Sequence, residues 1–479
     1  MESAKTMSFL IFYVATSVFF ALLLQYYAAL LSFEKGLISM LLSFSVENFY
    51  SYRERQTLSL LAQDREDLIE NTIPIDAMAL RGHRVVKFAG IYGANASGKS
   101  NFLLAFHRLT EIIANSAKES TAADQLPVTP FQLDDAWAEK PTQFSATFVI
   151  DKVVYVYDVS LTKDRIYSEE LTAFPKTHPQ RLFSRRVDSH GKSQWHFSRT
   201  HFRRDKALES RTRHNSLYLS VGALFNHSQL AMISEYFSRY SFRGTPSPDT
   251  DPLKVMSRCD TDVRFSRWAS EMLSTADTGV AALRLRDVAI RDPDLARLLS
   301  AQRDTAKSHS FRAREMQVAH VKSDGQTVWW PMQLESQGTK QLLSLLRSWY
   351  DMLNQGTLVV VDEIEASLHP LLCRRLLTML AETRPSEHHG QLIFTTHDAT
   401  LLDLSILRRD QVILAEKSGD GATQLVSLLH YTPRAGEALQ KGYLSGRYGA
   451  IPLLTEFKLH GQKPAKGNSK KITLSSTSS

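Results

Sequence analysis

The chain has 479 residues, a formal net charge of +7 and only two cysteines, and 43% of its residues are hydrophobic. That length allows two or three domains, or one large two-lobed one, with enough core to fold without metal or disulfide. Cys259 and Cys373 lie far apart and form no Cys-x-x-Cys pair, which excludes a zinc ribbon and a disulfide scaffold, and fits a reducing cytosol; the ordinary hydrophobic fraction excludes a bundle of membrane helices.

Thr6–Phe33 is a run of 28 residues without a charge. A helix of that length reaches across a bilayer. No small-x-small cleavage site follows it, which argues against a cleaved signal peptide. Two readings of residues 1–39 stand. One is a single N-terminal membrane helix. The other is sequence upstream of the true start, because Met40 opens a fresh strand pattern. The expected location is cytoplasmic, or membrane-anchored by that helix if residues 6–33 are expressed.

From Leu41 the chain reads as strands, LLSFSVENF and then RQTLSLLA. Val85–Tyr92 is apolar and β-branched, which predicts one buried strand. A Gly-rich turn and an amphipathic helix from Lys99 to Asn115 follow. Residues 124–141 are loop-like. Three alternating strands come next, QFSATFVID, VVYVYDVSL and RIYSEELTAF. Residues 181–213 begin as strand and become helical, and 215–243 read as helix. The segment 244–252 is a linker by its Pro, Gly, Ser and Asp content. Helix mixes with a short strand near 281–290. From Glu315 the pattern is strand, strand, helix, strand, helix, strand, helix, which predicts a mostly parallel sheet.

The charge is local. Residues 181–213 carry ten Lys or Arg against three acids, and the tail from Gly461 adds four Lys and no acid. The aromatics Phe183, Trp195, Phe197 and Phe202 alternate with the basic residues. They either stack bases while Arg and Lys pair phosphates, or point into a core beneath a solvated hairpin and helix. His196 and His201 have a spacing that zinc fingers use, but no Cys pair completes four ligands.

The strongest chemical signal is Gly93-Ala94-Asn95-Ala96-Ser97-Gly98-Lys99-Ser100. This is GxxxxGK[ST] between a strand and a helix, the context of a P-loop. Its backbone N–H groups and the helix N-terminus attract phosphate oxygens. Lys99 then contacts the β- and γ-phosphates of ATP, and Ser100 holds Mg²⁺. The second signal is TLVVVDEIE, 357–365, where Asp362 falls at the carboxyl end of a buried strand. Asp362 suits the Mg²⁺, and Glu363 suits the general base on the attacking water. The third is QLIFTTHD, 391–398, whose strand ends at His397, well placed to donate a hydrogen bond to the γ-phosphate. The fourth, Glu335-Ser336-Gln337-Gly338-Thr339, opens a helix. It is an anion site through free N–H groups or, the better reading on its own, a plain N-cap by Ser336.

In this order the four stretches resemble the ABC-type ATPases in the broad sense that includes structural-maintenance and double-strand-break-repair proteins. The closer resemblance is to the stand-alone ATPases called the AAA15 family, linked to restriction and phage-defence loci. It is carried by LLSFSVENFYSYRERQTLSL, YGANASGKSN, ESQGTKQLL, VVDEIEASLHP, QLIFTTHDATLLD and GYLSGRYGAIP. The resemblance implies that Gly93, Asn95, Gly98, Lys99, Ser100 and Asn101 form the nucleotide loop. It makes Ser336 and Gly338 a signature that touches the γ-phosphate held by a second subunit, His369 the mark of the loop crossing that interface, and His397 the switch histidine. The signature reads SQGT rather than LSGGQ. Gln132 is the candidate for a glutamine loop, with plain loop as its alternative.

The expected fold is therefore α/β, a two-lobed ABC-type P-loop NTPase with a mostly helical insertion. Residues 40–180 form the first lobe, 181–314 the basic and then helical insertion, 315–455 the second lobe, and 461–479 a disordered tail. The expected function is ATP hydrolysis by a homodimer sandwiching ATP and Mg²⁺. It regulates an effector protein encoded nearby in phage defence. The alternative is a recombination or repair ATPase that binds DNA through 181–213.

Overall fold

A computed structural model describes residues 38–451 apart from 65–66, 245–251, 277, 290–311, 367, 384–388 and 432–438. The apolar run at 6–33 and the tail at 461–479 lie outside the described residues. Among the described residues no helix is long and apolar enough to cross a membrane.

The chain opens with strands β1 (Ser39–Glu47), β2 (Gln56–Ser59), β3 (Thr72–Pro74), β4 (Arg84–Val86) and β5 (Phe88–Tyr92). Helix α1 (Lys99–Asn115) and the one-turn α2 (Asp135–Ala138) precede a meander of β6 (Thr142–Ile150), β7 (Val153–Leu161), β8 (Ile166–Phe174), β9 (Gln180–Val187) and β10 (Ser193–Phe197). Helices α3 (Lys206–Arg211), α4 (Tyr218–Leu224) and α5 (Ser228–Ser238) lead into β11 (Tyr240–Arg243). Then come α6 (Pro252–Thr261), α7 (Val263–Thr275), β12 (Ala282–Ala289), β13 (Arg312–Val321) and β14 (Thr327–Pro331). The last part holds α8 (Gln337–Gln355), β15 (Leu358–Val361), α9 (Pro370–Glu382), β16 (Gln391–Thr396), β17 (Val412–Lys417), β18 (Thr423–Ser427) and α10 (Leu439–Leu444).

The central sheet has the order β11-β15-β16-β5-β17-β18 and is parallel until the last pair. A seven-stranded antiparallel sheet runs β10-β9-β8-β7-β6-β1-β2, and β12-β13-β14 form a small third sheet. Side chains alternate across a strand, so the central sheet is a wall between two cores. Ala89, Ile91, Val360, Ile393 and Ile413 face the core shared with α1 and the seven-stranded sheet. Phe88, Tyr92, Val359, Phe394 and Leu414 face the core built on α7, α8 and α9. Gln391 ties the two sheets together. Its side-chain carbonyl accepts Leu41 N at 2.6 Å and its amide donates to Leu41 O at 2.9 Å, both buried.

Three expectations change. The mostly helical insertion at 181–314 does not stand apart. Its β9 and β10 extend the seven-stranded sheet and its β11 joins the central sheet beside β15. The partition into lobes therefore does not follow the sheets, because β5 and β11 come from before residue 315 and β15–β18 from after it. After β16 the chain makes short 3₁₀ turns and returns as β17 and β18 instead of a helix. Third, Val85–Tyr92 is two strands, not one: β4 pairs with β3 and β5 enters the central sheet.

The break falls at Lys87, which is 2% exposed. Its ammonium donates to the last carbonyls of α9, Leu380 O at 3.3 Å, Ala381 O at 2.7 Å and Thr383 O. A cation belongs at the negative end of a helix. Burial lowers the Lys87 pKa to about 8, with Glu70 opposing and Arg84 adding to the effect.

Lys87→Met should leave those carbonyls without their donor and cost about 1–3 kcal/mol of stability. Between pH 8 and the ordinary lysine range, unfolded Lys87 keeps a proton that the folded residue has lost, so wild-type stability gains with pH there. Urea denaturation at pH 7 and pH 9.5 should show the deficit of Lys87→Met growing at the higher pH.

Candidate functional site

The P-loop leaves the carboxyl end of β5 and closes at Gly98, the N-cap of α1, with φ of 99°. Only glycine takes that conformation without strain. A Cβ there would also lie 2.2 Å from Thr423 Oγ1 and 2.6 Å from Ser51 Oγ, and one on Gly93 would lie 2.5 Å from Ala415 O. The loop is braced from outside. Tyr52 OH donates to Gly98 O at 3.0 Å, and Thr423 Oγ1 donates to Ser97 O at 2.9 Å. Asn101, expected on the nucleotide, instead donates its amide to Ser51 Oγ at 2.9 Å. Asn95 is exposed on the loop.

Lys99 is buried, and its ammonium donates to Gly93 O and Ala94 O, both at 2.9 Å. Burial lowers its pKa, while Asp362, Glu363 and Glu365 pull it back up. Those acids sit on the turn after β15. Parallel pairing of β15, β16 and β5 sets their carboxyl ends side by side, where open α/β sheets bind ligands.

Four polar groups meet at that edge. Ser100 Oγ donates to Asp362 Oδ1 at 2.9 Å, across 262 residues of chain. Thr395 Oγ1 donates to the same oxygen at 2.6 Å and accepts the Glu363 N–H at 2.7 Å. Glu363 is exposed and holds φ of 52°. A non-glycine residue in that region costs about 1–3 kcal/mol and is kept only where its surroundings fix it. His397 is half-exposed, with Nδ1 2.9 Å from Glu365 Oε1. Asp362 is also held from β11, its backbone N–H donating to Arg243 O at 2.7 Å. The Arg243 guanidinium, buried, donates to Ser344 Oγ of α8 at 2.7 Å.

These residues fit a nucleotide and its metal. Ser97 Oγ is buried without a hydrogen-bond partner inside the loop. The Ser100 hydroxyl and the Asp362 carboxylate are hard oxygen donors of the kind Mg²⁺ takes alongside substrate phosphates. Bound there, Mg²⁺ would neutralise phosphate charge.

The remaining predicted residues lie elsewhere. Ser336 is the N-cap of α8, its Oγ accepting Thr339 N at 3.1 Å, with Gly338 in the first turn. His369 caps α9, its Nδ1 accepting Leu371 N at 3.3 Å. Gln132 is exposed and donates to Pro130 O at 3.2 Å within its own loop.

The basic stretch is partly structural. Phe183 and Phe202 are buried, and Trp195 and Phe197 pack against the same core. Arg185 is buried, donating to Ser216 O at 2.9 Å and Arg213 O at 3.1 Å. Arg204 forks onto Glu209, and Arg181 and Arg186 pair with Glu170. Lys192, Arg199, Arg203 and Lys206 are exposed.

Sequence reasoning missed Glu365, the Thr395 clamp, and Ser51, Tyr52 and Thr423 behind the loop. Glu365 had a readable signal as a third acid beside the pair. Ser51, Tyr52 and Thr423 had none, since they reach the loop only through the fold.

Thr395→Val keeps the shape of the side chain and removes both bonds of the clamp. It should lower stability by about 1–3 kcal/mol in urea denaturation and weaken Mg²⁺-dependent nucleotide binding, measured by calorimetry.

Residues 88–403 match the family model described as "AAA domain, putative AbiEii toxin, Type IV TA system". No curated protein matches the chain. Among solved structures the chain is similar to an SMC head domain from Thermotoga maritima, at 13% identity and a TM-score of 0.35, covering 81% of this chain and 98% of that one. It is also similar to an Smc head domain with an extended coiled coil from Pyrococcus furiosus, bound to the C-terminal domain of ScpA. The identity there is 14% and the TM-score 0.36, over 86% of this chain and 99% of that one.

Proposed function

The chain belongs to this AAA-domain family, and from that premise we propose that it is a Mg²⁺-dependent ATPase. The observation that carries the reading is the Ser100–Asp362 contact beneath the P-loop, with Glu363 next to it. Lys99 binds the β- and γ-phosphates once it leaves the loop carbonyls. Glu363 takes the proton of the attacking water, and its peptide N–H on Thr395 fixes where that carboxylate starts. His397 donates to the γ-phosphate.

The Ser336 side chain accepts Thr339 N at the start of α8, and the other first-turn N–H groups, that of Gly338 among them, have no intrahelical acceptor and would meet a phosphate brought by a second copy. The working unit is then a two-fold homodimer that closes on two ATP molecules. The toxin–antitoxin wording of the family supports a role in phage defence, where the closed dimer holds or releases an effector protein encoded nearby. A second reading, action on DNA through residues 181–213, draws support from the exposed Lys192, Arg199, Arg203 and Lys206. It loses support from the aromatics, which are packed in the core rather than free to stack bases.

Lys99→Ala should abolish ATP binding in calorimetry; unchanged affinity would sink the P-loop reading. Glu363→Gln should bind ATP, lose turnover and accumulate as an ATP-bound dimer in light scattering; turnover at the wild-type rate would remove Glu363 from the role of base. ATPase rates with and without duplex DNA, at several salt concentrations, separate the two biological readings. Strong salt-sensitive stimulation favours DNA, and its absence favours the effector.

A further inference from the structure

Glu365 lies behind His397 and is almost fully buried, with its side chain 9% exposed. Its Oε1 is 2.9 Å from His397 Nδ1 and accepts the His397 backbone N–H at 2.7 Å. Two bonds to one oxygen fix both the ring and the peptide that carries it. An ionised carboxylate only accepts, so Nδ1 bears the proton in this pair. Nε2 is the nitrogen left for a ligand. In the neutral ring with Nδ1 protonated, Nε2 is a bare acceptor and has nothing to donate to a phosphate oxygen. Donation through Nε2 then requires the imidazolium.

We propose that Glu365 is a positioning residue that holds His397 as the Nδ1-protonated ring, so that His397 meets the γ-phosphate as a cation rather than as a neutral donor. This rests on the ATPase reading above. The proton that completes the imidazolium comes from solvent as nucleotide binds, when a phosphate charge joins that of Glu365. The charged and titratable groups around the pair come from every element packed there. Asp362 and Glu363 share the turn with Glu365. Asp398 follows His397, with Oδ1 accepting Thr400 N at 2.8 Å and Oδ2 buried without a hydrogen-bond partner. The Tyr92 hydroxyl from β5 and the Cys373 thiol from α9 are both raised, chiefly by burial and further by Glu365 and Asp398. Lys99 faces them from α1, within the field of Asp362, Glu363 and Glu365. Glu365 Oε2 is itself buried with no hydrogen-bond partner, so the carboxylate has acceptor capacity to spare.

The test is ¹⁵N NMR of the histidine rings in the full chain, with His397 assigned by its loss in His397→Gln. Spectra are taken without nucleotide and with Mg²⁺ and a non-hydrolysable ATP analogue. Wild-type His397 should carry a proton on Nδ1 without nucleotide, and on both nitrogens with the analogue. In Glu365→Gln the ring should stay neutral with the analogue bound. Its kcat should fall about 10- to 100-fold, while KM for ATP moves less than about twofold. Glu365→Asp, which keeps the charge, should recover part of kcat. A wild-type complex with neutral, Nε2-protonated His397 overturns the proposal, as does unchanged kcat in Glu365→Gln. A wild-type chain that binds no nucleotide removes the ATPase reading and the proposal with it. Hydrolysis with a neutral His397 removes the proposal alone.

Discussion

Parallel pairing of β15 with β16 and of β16 with β5 is the constraint on which the site depends. Backbone hydrogen bonds in a parallel sheet set register and direction together, so three carboxyl ends finish along one edge. Gly93, Asp362 and His397 are neighbours for that reason, although they come from distant parts of the sequence. The alternation of side chains on the same strands divides the apolar residues between two cores. Displacing any of the three strands along the sheet would therefore disturb the core and the chemistry at once.

The turn after β15 shows how the edge is made rigid. Glu363 sits in a backbone region that few side chains adopt, and Thr395 holds it from two directions. The Thr395 side chain takes the Glu363 N–H, and its carbonyl takes the Ile364 N–H at 3.1 Å. The same hydroxyl then donates to Asp362. On the far side Arg243 joins Asp362 to α8, the helix that Ser336 begins, and Ser241 lies 2.8 Å from Ser348 of that helix. A buried arginine needs such partners, because leaving its N–H groups unmet costs more than the bonds return.

The sequence made the chemistry legible where chemistry is local. GANASGKS closes a loop on its own helix, and four buried residues, Leu358–Val361, set Asp362 at the end of their strand, where Arg243 and Thr395 then fix it. Helix α1 has the bounds its periodicity predicts, and β7 and β8 largely follow their alternation, whereas β6 is buried at seven of its nine positions. Short polar strands were not legible. Tyr240–Arg243 has four residues, two of them the buried polar Ser241 and Arg243, and it follows directly on a helix. Its place in the sheet is decided by β15 and α8, not by its own pattern. The turns before β17 hide in the same way. Arg408 and Asp410 look like surface residues in sequence. In the fold they form a buried ion pair, and Arg408 also donates to Gln63 O at 2.7 Å and Asp67 O at 2.8 Å. Lys87 hides for the opposite reason, since one charge inside the apolar run Val85–Tyr92 marks the change of sheet.

The strand order has a consequence for how the protein is made. β5 lies between β16 and β17, yet about 300 residues separate Tyr92 from Gln391. At a synthesis rate of roughly 5–20 residues per second, β5 leaves the ribosome about 15–60 s before either neighbour exists. Throughout that interval its apolar side chains, Phe88, Ala89, Ile91 and Tyr92, have no sheet to enter. The nascent chain therefore carries a sticky, unpaired strand next to its nucleotide loop for most of translation. A ribosome that stalls before residue 391 would release a product with an intact P-loop sequence and no sheet to hold it. Chaperone demand should thus fall on this strand.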